Sequence, residues 1–327
     1  MFRRSIARMA AVPRDMVGNT GIKYQYKQLL QEREHFGRVW LASSGHEQFI
    51  LKDIPELIFD HFNEEIRPNL RDSPFIRLPV DTISEERIFV FRYLKEDLLS
   101  LVRRGISMQT AKQILKDSLR GLVELHSQDI IHLDIKADNI MVDYRHDEEE
   151  EMMLEKVQLT DLDNAAYLPY GRYIKGMVAG NENWRSPEAF FKSKLSKPAD
   201  IFSFGIVCIY AVLGRVIFGP DADLEKHEKM GALPDMIRLQ RQVSYFGDQD
   251  GLDGLKAHLG DDDISRTALT MLWEDRHEPY IPYKPFAEWP GLEDIVFTDL
   301  ILRLMNLDPA KRMIAQQTLE HPWFKDV

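Results

Sequence analysis

Hydrophobic periodicity changes character once along this chain, close to residue 94, and the change divides it into a strand-built first part and a helical second part. Before that point the β-branched and aromatic residues come in short runs between turn signals: Tyr24 to Gln31, Gly37 to Ala42, Gln48 to Lys52, Ile76 to Asp81 and Arg87 to Tyr93. Such runs predict strands. One helix is expected among them, opened by Pro55 and limited at its far end by Pro68. From Asp97 onward the pattern is mainly helical. Ser107 has the chemistry of an N-cap, and Met108, Ala111, Leu115, Leu119 and Leu122 follow it as one apolar stripe. The segment Ile201 to Leu213 is apolar on nearly every side, which predicts a buried central helix. The acidic run Asp147 to Glu151 reads as a solvated loop between two strands.

This pattern defines an α+β chain of 327 residues, 44% of them hydrophobic, which is more than one small core can use. Three parts are expected: a basic tail over 1–20, a β-rich part over 21–94 and a mainly helical part over 95–327. Cys208 is the single cysteine, so no disulfide can form within the chain, and a reducing compartment, cytoplasm or nucleus, fits best. The longest apolar stretch, Ile206 to Leu213, is far shorter than the roughly 20 residues that cross a bilayer. Arg3, Arg4, Arg8 and Arg14 stand among the first fourteen residues without an acid; an ordinary basic tail is the preferred reading over mitochondrial targeting. A formal net charge of −11 argues against nucleic acid or an anionic membrane as the main partner and suits a basic protein substrate.

The strongest chemical signal is His132-Leu133-Asp134-Ile135-Lys136-Ala137-Asp138-Asn139, followed by the short strand Ile140-Met141-Val142 and, further on, by Thr160-Asp161-Leu162-Asp163. Phosphoryl transfer asks for an oriented hydroxyl, a held metal and neutralised phosphate charge. Asp134 can accept a hydroxyl proton, and Lys136 can meet a transferred phosphate. Asn139 and Asp161 offer oxygen to Mg²⁺, a hard cation. Each of these residues alone would pass for an ordinary loop polar group; their order and spacing carry the argument.

That order resembles the eukaryotic protein kinases, and the resemblance runs over nearly the whole chain. It implies a two-lobed fold with a small β-rich N-lobe and a large helical C-lobe, with ATP and Mg²⁺ as cofactors and serine or threonine of a protein as acceptor. Phe49-Ile50-Leu51-Lys52 is similar to the strand whose lysine pairs with the α- and β-phosphates. Phe89-Val90-Phe91-Arg92-Tyr93-Leu94 resembles the hinge behind the adenine, with Phe91 as gatekeeper and Tyr93 and Leu94 beside the base. Asp97 falls where a ribose contact is expected. Gly180 to Glu188, reading Gly-Asn-Glu-Asn-Trp-Arg-Ser-Pro-Glu, matches the end of an activation segment. Asp200 is implied to brace the catalytic loop backbone, and Arg312 to pair with Glu188. Arg185 and the long segment from about Pro220 to Pro290 resemble the branch of cyclin-dependent and mitogen-activated kinases, and the wording overall is similar to fungal serine/threonine kinase-like proteins. The first helix should supply a glutamate for Lys52. Spacing to Ser73-Pro74-Phe75 favours Glu64, whereas the stripe Ile58, Phe62, Ile66 favours Glu65, which is preferred.

The chain departs from the family pattern in several places. The phosphate-covering loop reads Glu32-Arg33-Glu34-His35-Phe36-Gly37-Arg38-Val39, so only the third glycine, Gly37, remains ahead of Val39. Glu32 and Glu34 are expected to share the phosphate face, each repelling nucleotide by about 1–3 kcal/mol if held within a few ångströms. In the converse arrangement Arg33 faces the phosphates. Leu133 replaces the arginine that in many kinases grips a phosphate on the activation segment, and from Leu162 to Arg185 there is no serine or threonine. Asp163 replaces the glycine of Asp-Phe-Gly, and Asn181 replaces a threonine, where its amide can make similar hydrogen bonds. These departures leave a pseudokinase, the same fold used as a nucleotide-binding or allosteric scaffold, as the alternative to an active enzyme.

Overall fold

The computed structural model describes residues 15–33 and 37–327, which form two compact units. The first comprises residues up to Glu64 together with Arg77–Leu94, and the second comprises Glu65–Ile76 and Lys95–Val327. The division at residue 94 thus coincides with the change in periodicity, while residues 65–76 pack with the helical unit.

The first unit is built on a six-stranded sheet in the order β1-β2-β3-β4-β6-β5. Its strands are β1 (Met16–Val17), β2 (Lys23–Arg33), β3 (Gly37–Ser44), β4 (Glu47–Asp53), β5 (Asp81–Ile83) and β6 (Ile88–Arg92). Alternation along the strands sends Tyr24, Tyr26, Trp40, Ala42, Phe49, Leu51, Ile88 and Val90 into one apolar cluster. Residues 15–20, expected to be tail, belong to this unit: β1 pairs with Lys23 and Tyr24, and Thr20 donates both its N–H and its hydroxyl to buried Asp81. Tyr24 Oη donates to the same carboxylate at 2.9 Å. The strand expected over Ile76 to Asp81 starts later. Pro79 lacks the N–H a ladder needs, and the ladder with β6 begins beyond it, with the Val80 N–H on Val90 O and Asp81 opposite Val90.

The first helix is also shorter than expected. α1 (Glu56–His61) gives way to a π turn over Phe62–Ile66 and a 3₁₀ turn over Arg67–Asn69 that contains Pro68. α1 covers the sheet face opposite the apolar cluster, where Phe59 and Phe62 lie 5.0 and 4.9 Å from the ring of Phe89.

In the second unit, β7 (Glu96–Asp97) leads into α2 (Leu98–Arg104) and α3 (Met108–Ser127), and it joins a three-stranded sheet in the order β10-β9-β7 with β9 (Ile140–His146) and β10 (Met152–Leu159). β8 (Ile130–Ile131) pairs with β11 (Ala166–Tyr167). The acidic run lies between β9 and β10, as read from sequence. Ser107 caps α3 by accepting from Thr110 N at 3.0 Å; of the expected stripe Ala111, Leu115, Leu119 and Leu122 are buried, while Met108 is exposed. After the short α4 (Pro187–Phe190), α5 (Lys197–Leu213) is buried along almost its whole length, from Ile201 through Ala211 with one partly exposed position at Ser203. Each fully buried Ile, Val or Phe contributes about 1.5–3 kcal/mol, so this helix is the thermodynamic centre of the unit. α6 (Ala222–Lys229), α7 (Pro234–Phe246), α8 (Gln249–Leu259) and α9 (Asp263–Asp275) occupy the long C-terminal segment, followed by α10 (Ile295–Leu304) and α11 (Ala315–Leu319). Among the described residues no helix is long and apolar enough to cross a membrane.

One buried ion pair ties the end of this unit to its middle. Arg312 grips Glu188 with two parallel bonds of 2.7 and 2.8 Å and also donates to the carbonyls of Pro198 and Asn306. Burial alone would raise the Glu188 carboxyl, but the Arg312 charge and its hydrogen bonds outweigh it and hold the pKa below the ordinary value. Glu188→Gln leaves the buried guanidinium without its counter-charge and is expected to cost about 3–5 kcal/mol of unfolding free energy by denaturant titration at neutral pH. Because the folded pKa is depressed, the pair's stabilisation is present above the unfolded carboxyl pKa and lost as pH falls through the folded one. The gap between the parent protein and the Gln variant should therefore close on acidification, and a gap that is absent at pH 7 contradicts this account of the pair.

Candidate active site

The loop between β8 and β9 is shaped by one buried carboxylate on α5. Asp200 accepts the backbone N–H of His132 on Oδ2 and that of Leu133 on Oδ1, both at 2.8 Å, and Oδ2 also meets the His126 ring nitrogen at 3.0 Å. Under this restraint Leu133 adopts φ +62°, a left-handed conformation that costs a non-glycine residue about 1–2 kcal/mol. The His132 ring reaches across to the carbonyl of Thr160 at 2.9 Å, tying the loop to the residue before Asp161. His126 was not singled out from sequence; a histidine near the end of an amphipathic helix carries no signal of its own until Asp200 is placed against it.

The turn at Leu133 delivers Asp134 into a polar cluster. Its carboxylate, itself buried, receives the Lys136 ammonium at 3.1 Å, the Asn139 side-chain amide at 3.2 Å and the backbone N–H of Asn181 at 3.1 Å. Burial works against a charged Lys136, yet the charges of Asp134, Asp138 and Asp161 prevail and raise its pKa, so the side chain is a fixed cation. Asn139 spends its amide N–H on the backbone and side chain of Asp134, which leaves Oδ1 as the atom it can offer to a cation. Asp161, at φ +67°, stands one residue after Thr160, whose N–H bonds the Asn139 carbonyl at 3.0 Å. A carboxylate and an amide oxygen suit Mg²⁺, which keeps water and phosphate oxygens as its remaining ligands. Among the described residues there is no group of three or more His, Cys, Asp or Glu that would make a self-sufficient metal cage.

Asn181 does not use its side chain as expected. The backbone N–H serves Asp134, while its side-chain oxygen accepts from Asn183 N at 3.0 Å. The neighbouring Gly180 has φ +77°, and a Cβ there would lie 2.9 Å from the carbonyl oxygen of Leu133, so the close approach of segment and loop requires glycine. Arg185 Nε donates to the carbonyl of Ala179 at 3.0 Å, and its Nη2 donates to that of Gly180 at 2.8 Å.

In the first unit the sheet register decides which side chains share the face of Lys52. Val39 is opposite Lys52, and Lys52 is opposite Phe89; Ile50 is opposite Phe91. Arg33 is opposite Gly37, two residues from Val39, so Arg33, Gly37, Val39, Lys52, Phe89 and Phe91 line one face. Glu32 is opposite Arg38 and belongs to the other face, where Arg38 Nε donates to Asp53 Oδ2 at 2.9 Å. This corrects the expectation that Glu32 faces the phosphates. β2 carries two irregularities, between Tyr26 and Gln28 and between Leu29 and Gln31, and together they leave Glu32 on the face that Tyr24 and Tyr26 share with the apolar cluster. Glu34 lies outside the described residues, as do His35 and Phe36. Gly37, at φ +92°, passes so close to Asp53 that a Cβ would sit 2.7 Å from the Asp53 Cβ.

Of the remaining expected residues, Tyr93 donates its N–H to Gln48 O, Leu94 is buried, and Asp97 caps α2 through Ser100 N at 2.8 Å, a structural duty beside any ribose contact. Phe62 and Ile66 are buried as their spacing implied, but the π turn between them breaks the α-helical geometry on which the choice of Glu65 rested, and Glu64 and Glu65 are both exposed.

The protein kinase domain family matches residues 69–324, and the chain belongs to it. Two fungal proteins named serine/threonine-protein kinase SSN3 are similar to it: that of Phaeosphaeria nodorum at 29% identity, covering 76% of this chain and 60% of the relative, and that of Aspergillus fumigatus at 29%, covering 77% and 63%. Human dual specificity tyrosine-phosphorylation-regulated kinase 3 is 24% identical, covering 71% of this chain and 40% of the relative. The chain thus spans between two fifths and two thirds of the length of these relatives.

The register yields a test at the nucleotide. Arg33→Ala is expected to weaken ATP by up to about tenfold, equivalent to 1.4 kcal/mol, and to leave adenosine unchanged, since adenosine carries no phosphate. Glu32→Gly is expected to alter neither. Calorimetry that finds ATP tightened by Glu32→Gly and indifferent to Arg33→Ala contradicts the assignment of faces.

Proposed function

We propose that the chain is an active protein kinase that transfers the γ-phosphoryl group of ATP, with Mg²⁺, to serine or threonine of other proteins. The observation that carries this is the cluster on Asp134: a buried carboxylate held by Lys136, Asn139 and the Asn181 N–H, with Asp161 next to the residue that Asn139 and His132 bind. Asp134 accepts the proton of the attacking hydroxyl and orients it. Lys136, kept cationic, balances charge on the transferred phosphoryl group, and Lys52 meets the α- and β-phosphates. Mg²⁺, held by Asn139 and Asp161, supplies neutralisation of the phosphate charge. Glu65 is the proposed partner that aims Lys52. The proposed roles of Gly37 and Val39 are to cover the nucleotide, those of Phe91, Tyr93 and Leu94 to meet the base, and that of Asp97 to contact the ribose. Serine/threonine preference is supported by the names of the fungal relatives, and the net charge of −11 favours basic protein substrates.

The second reading, a nucleotide-binding scaffold, draws on two observations. Arg38, a cation of the degenerate loop, is engaged by Asp53, and the Asn181 side chain is turned to Asn183 in place of Asp134.

A γ-phosphate transfer assay on a peptide array separates the two. The unmodified protein is expected to phosphorylate serine or threonine peptides, and Asp134→Asn to lose at least about a hundredfold in rate, the lower end of what a positioned general base contributes. Asp161→Asn is expected to abolish transfer and to weaken Mg²⁺-dependent nucleotide binding. ATP binding without transfer in the unmodified protein establishes the scaffold.

A further inference from the structure

The stretch from Leu162 to Arg185 has no serine or threonine to phosphorylate, and with leucine at 133 there is no arginine beside the catalytic aspartate to receive a phosphate. Something else must hold it. Leu133 is only 7% exposed and belongs to an apolar cluster with Ile131, Ala166, Ala189, Leu195 and Ala199, against which Leu168, Ile174 and Ala179 of the segment pack. A guanidinium at position 133 would be buried among alkyl groups, at a desolvation cost of several kcal/mol.

The backbone follows the same path. β11 pairs with β8, and Leu168 N donates to Asp129 O at 2.7 Å. Ile174 and Leu195 exchange both of their backbone bonds, at 3.1 and 2.7 Å, and Gly176 N donates to Lys192 O at 2.9 Å. Beyond this stretch Gly180 abuts the Leu133 carbonyl and the Asn181 N–H reaches Asp134. The segment is therefore fastened at four successive places, the last of them the catalytic carboxylate. Tyr170 stands apart, fully exposed on the turn closed by Arg172 N and Pro169 O, and takes no part in the packing.

We propose that an apolar latch takes the place of a phosphate-dependent one: Leu133 and Ile174 act as positioning residues that hold residues 166–180 in place and, through Asn181, fix Asp134 in the unphosphorylated protein. The effect on catalysis rests on the reading of Asp134 as the catalytic base; the latch itself does not.

Hydrogen exchange and peptide phosphorylation, measured on one bacterially expressed preparation shown by mass spectrometry to carry no phosphate on residues 162–185, test it together. The amides of Leu168, Ile174, Gly176 and Leu195 are expected to be protected in the unmodified protein. In Ile174→Asn and Leu133→Ala they should exchange at least about tenfold faster while α5 amides stay protected, the mark of local and not global opening. In the same variants the kcat for peptide should fall by about tenfold or more with the KM for ATP within about twofold. Leu133→Met, close in volume, should retain both protection and kcat. Free exchange of these four amides until a tyrosine is phosphorylated, or unchanged protection in Ile174→Asn, overturns the latch. Protection that responds as expected in a protein that transfers no phosphate supports the latch and refutes the catalytic reading instead.

Discussion

The loop between β8 and β9 hangs on a carboxylate that water barely reaches. Asp200 is 1% exposed and satisfies three donors, two of them backbone N–H groups of the loop. Hydrogen bonds to a charged group contribute about 1.5–3 kcal/mol each, against a strain of about 1–2 kcal/mol for the left-handed Leu133. The bonds win, and the turn they enforce points Asp134 at Lys136, Asn139 and Asn181. The carboxylate can do this because its own position is not negotiable. It rides on α5, a helix buried along almost its whole length, and its displacement would expose a core worth many times the strain it supports.

A second consequence concerns what moves. With Asp200 fixing one side of the loop and Arg312 fixing Glu188 at the end of the segment, the residues between them are bounded at both ends. The remaining freedom lies in the middle, where alanine, leucine and isoleucine side chains face Leu133. Apolar packing is not switchable by charge, so a chain that uses it trades regulation by phosphorylation for an assembled site. The degenerate phosphate loop makes the complementary trade in the first unit. It surrenders glycine backbone for side chains, and the register that places Arg33 with Lys52 keeps a cation on that face.

Much of this was legible in the sequence because it depends on order and burial. The buried helix around Ile201 and the Ser107 cap follow from apolar runs and capping chemistry, the pairing of Arg312 with Glu188 is what the family resemblance implies, and all three are observed. What was not legible depends on which elements pair and on local departures from regular geometry. The sheet register puts Glu32 on the face of Tyr24 and Tyr26, opposite that of Lys52, a π turn undid the helical geometry used to choose between Glu64 and Glu65, and Pro79 delayed a strand. Each is set by strand pairing, a local helical turn or a missing backbone donor, none of which the hydrophobic pattern records. His126 and Gly180 were hidden for a different reason. Their roles are set by contacts with residues 74 and 47 positions away in sequence, Asp200 and Leu133, which only the folded chain brings together.

The account stands or falls on whether the assembled loop transfers phosphate and whether Asp200 is what assembles it. The most direct measurement is the steady-state rate of γ-phosphate transfer from ATP to a peptide by the unphosphorylated protein, beside Asp200→Asn, which keeps the shape of the side chain and replaces an acceptor oxygen with a donor group. Transfer by the unmodified protein, with a kcat at least about tenfold lower in the variant, is the result expected from the loss of 1.4 kcal/mol or more of positioning energy. No transfer by the unmodified protein, or equal rates in the two, contradicts it.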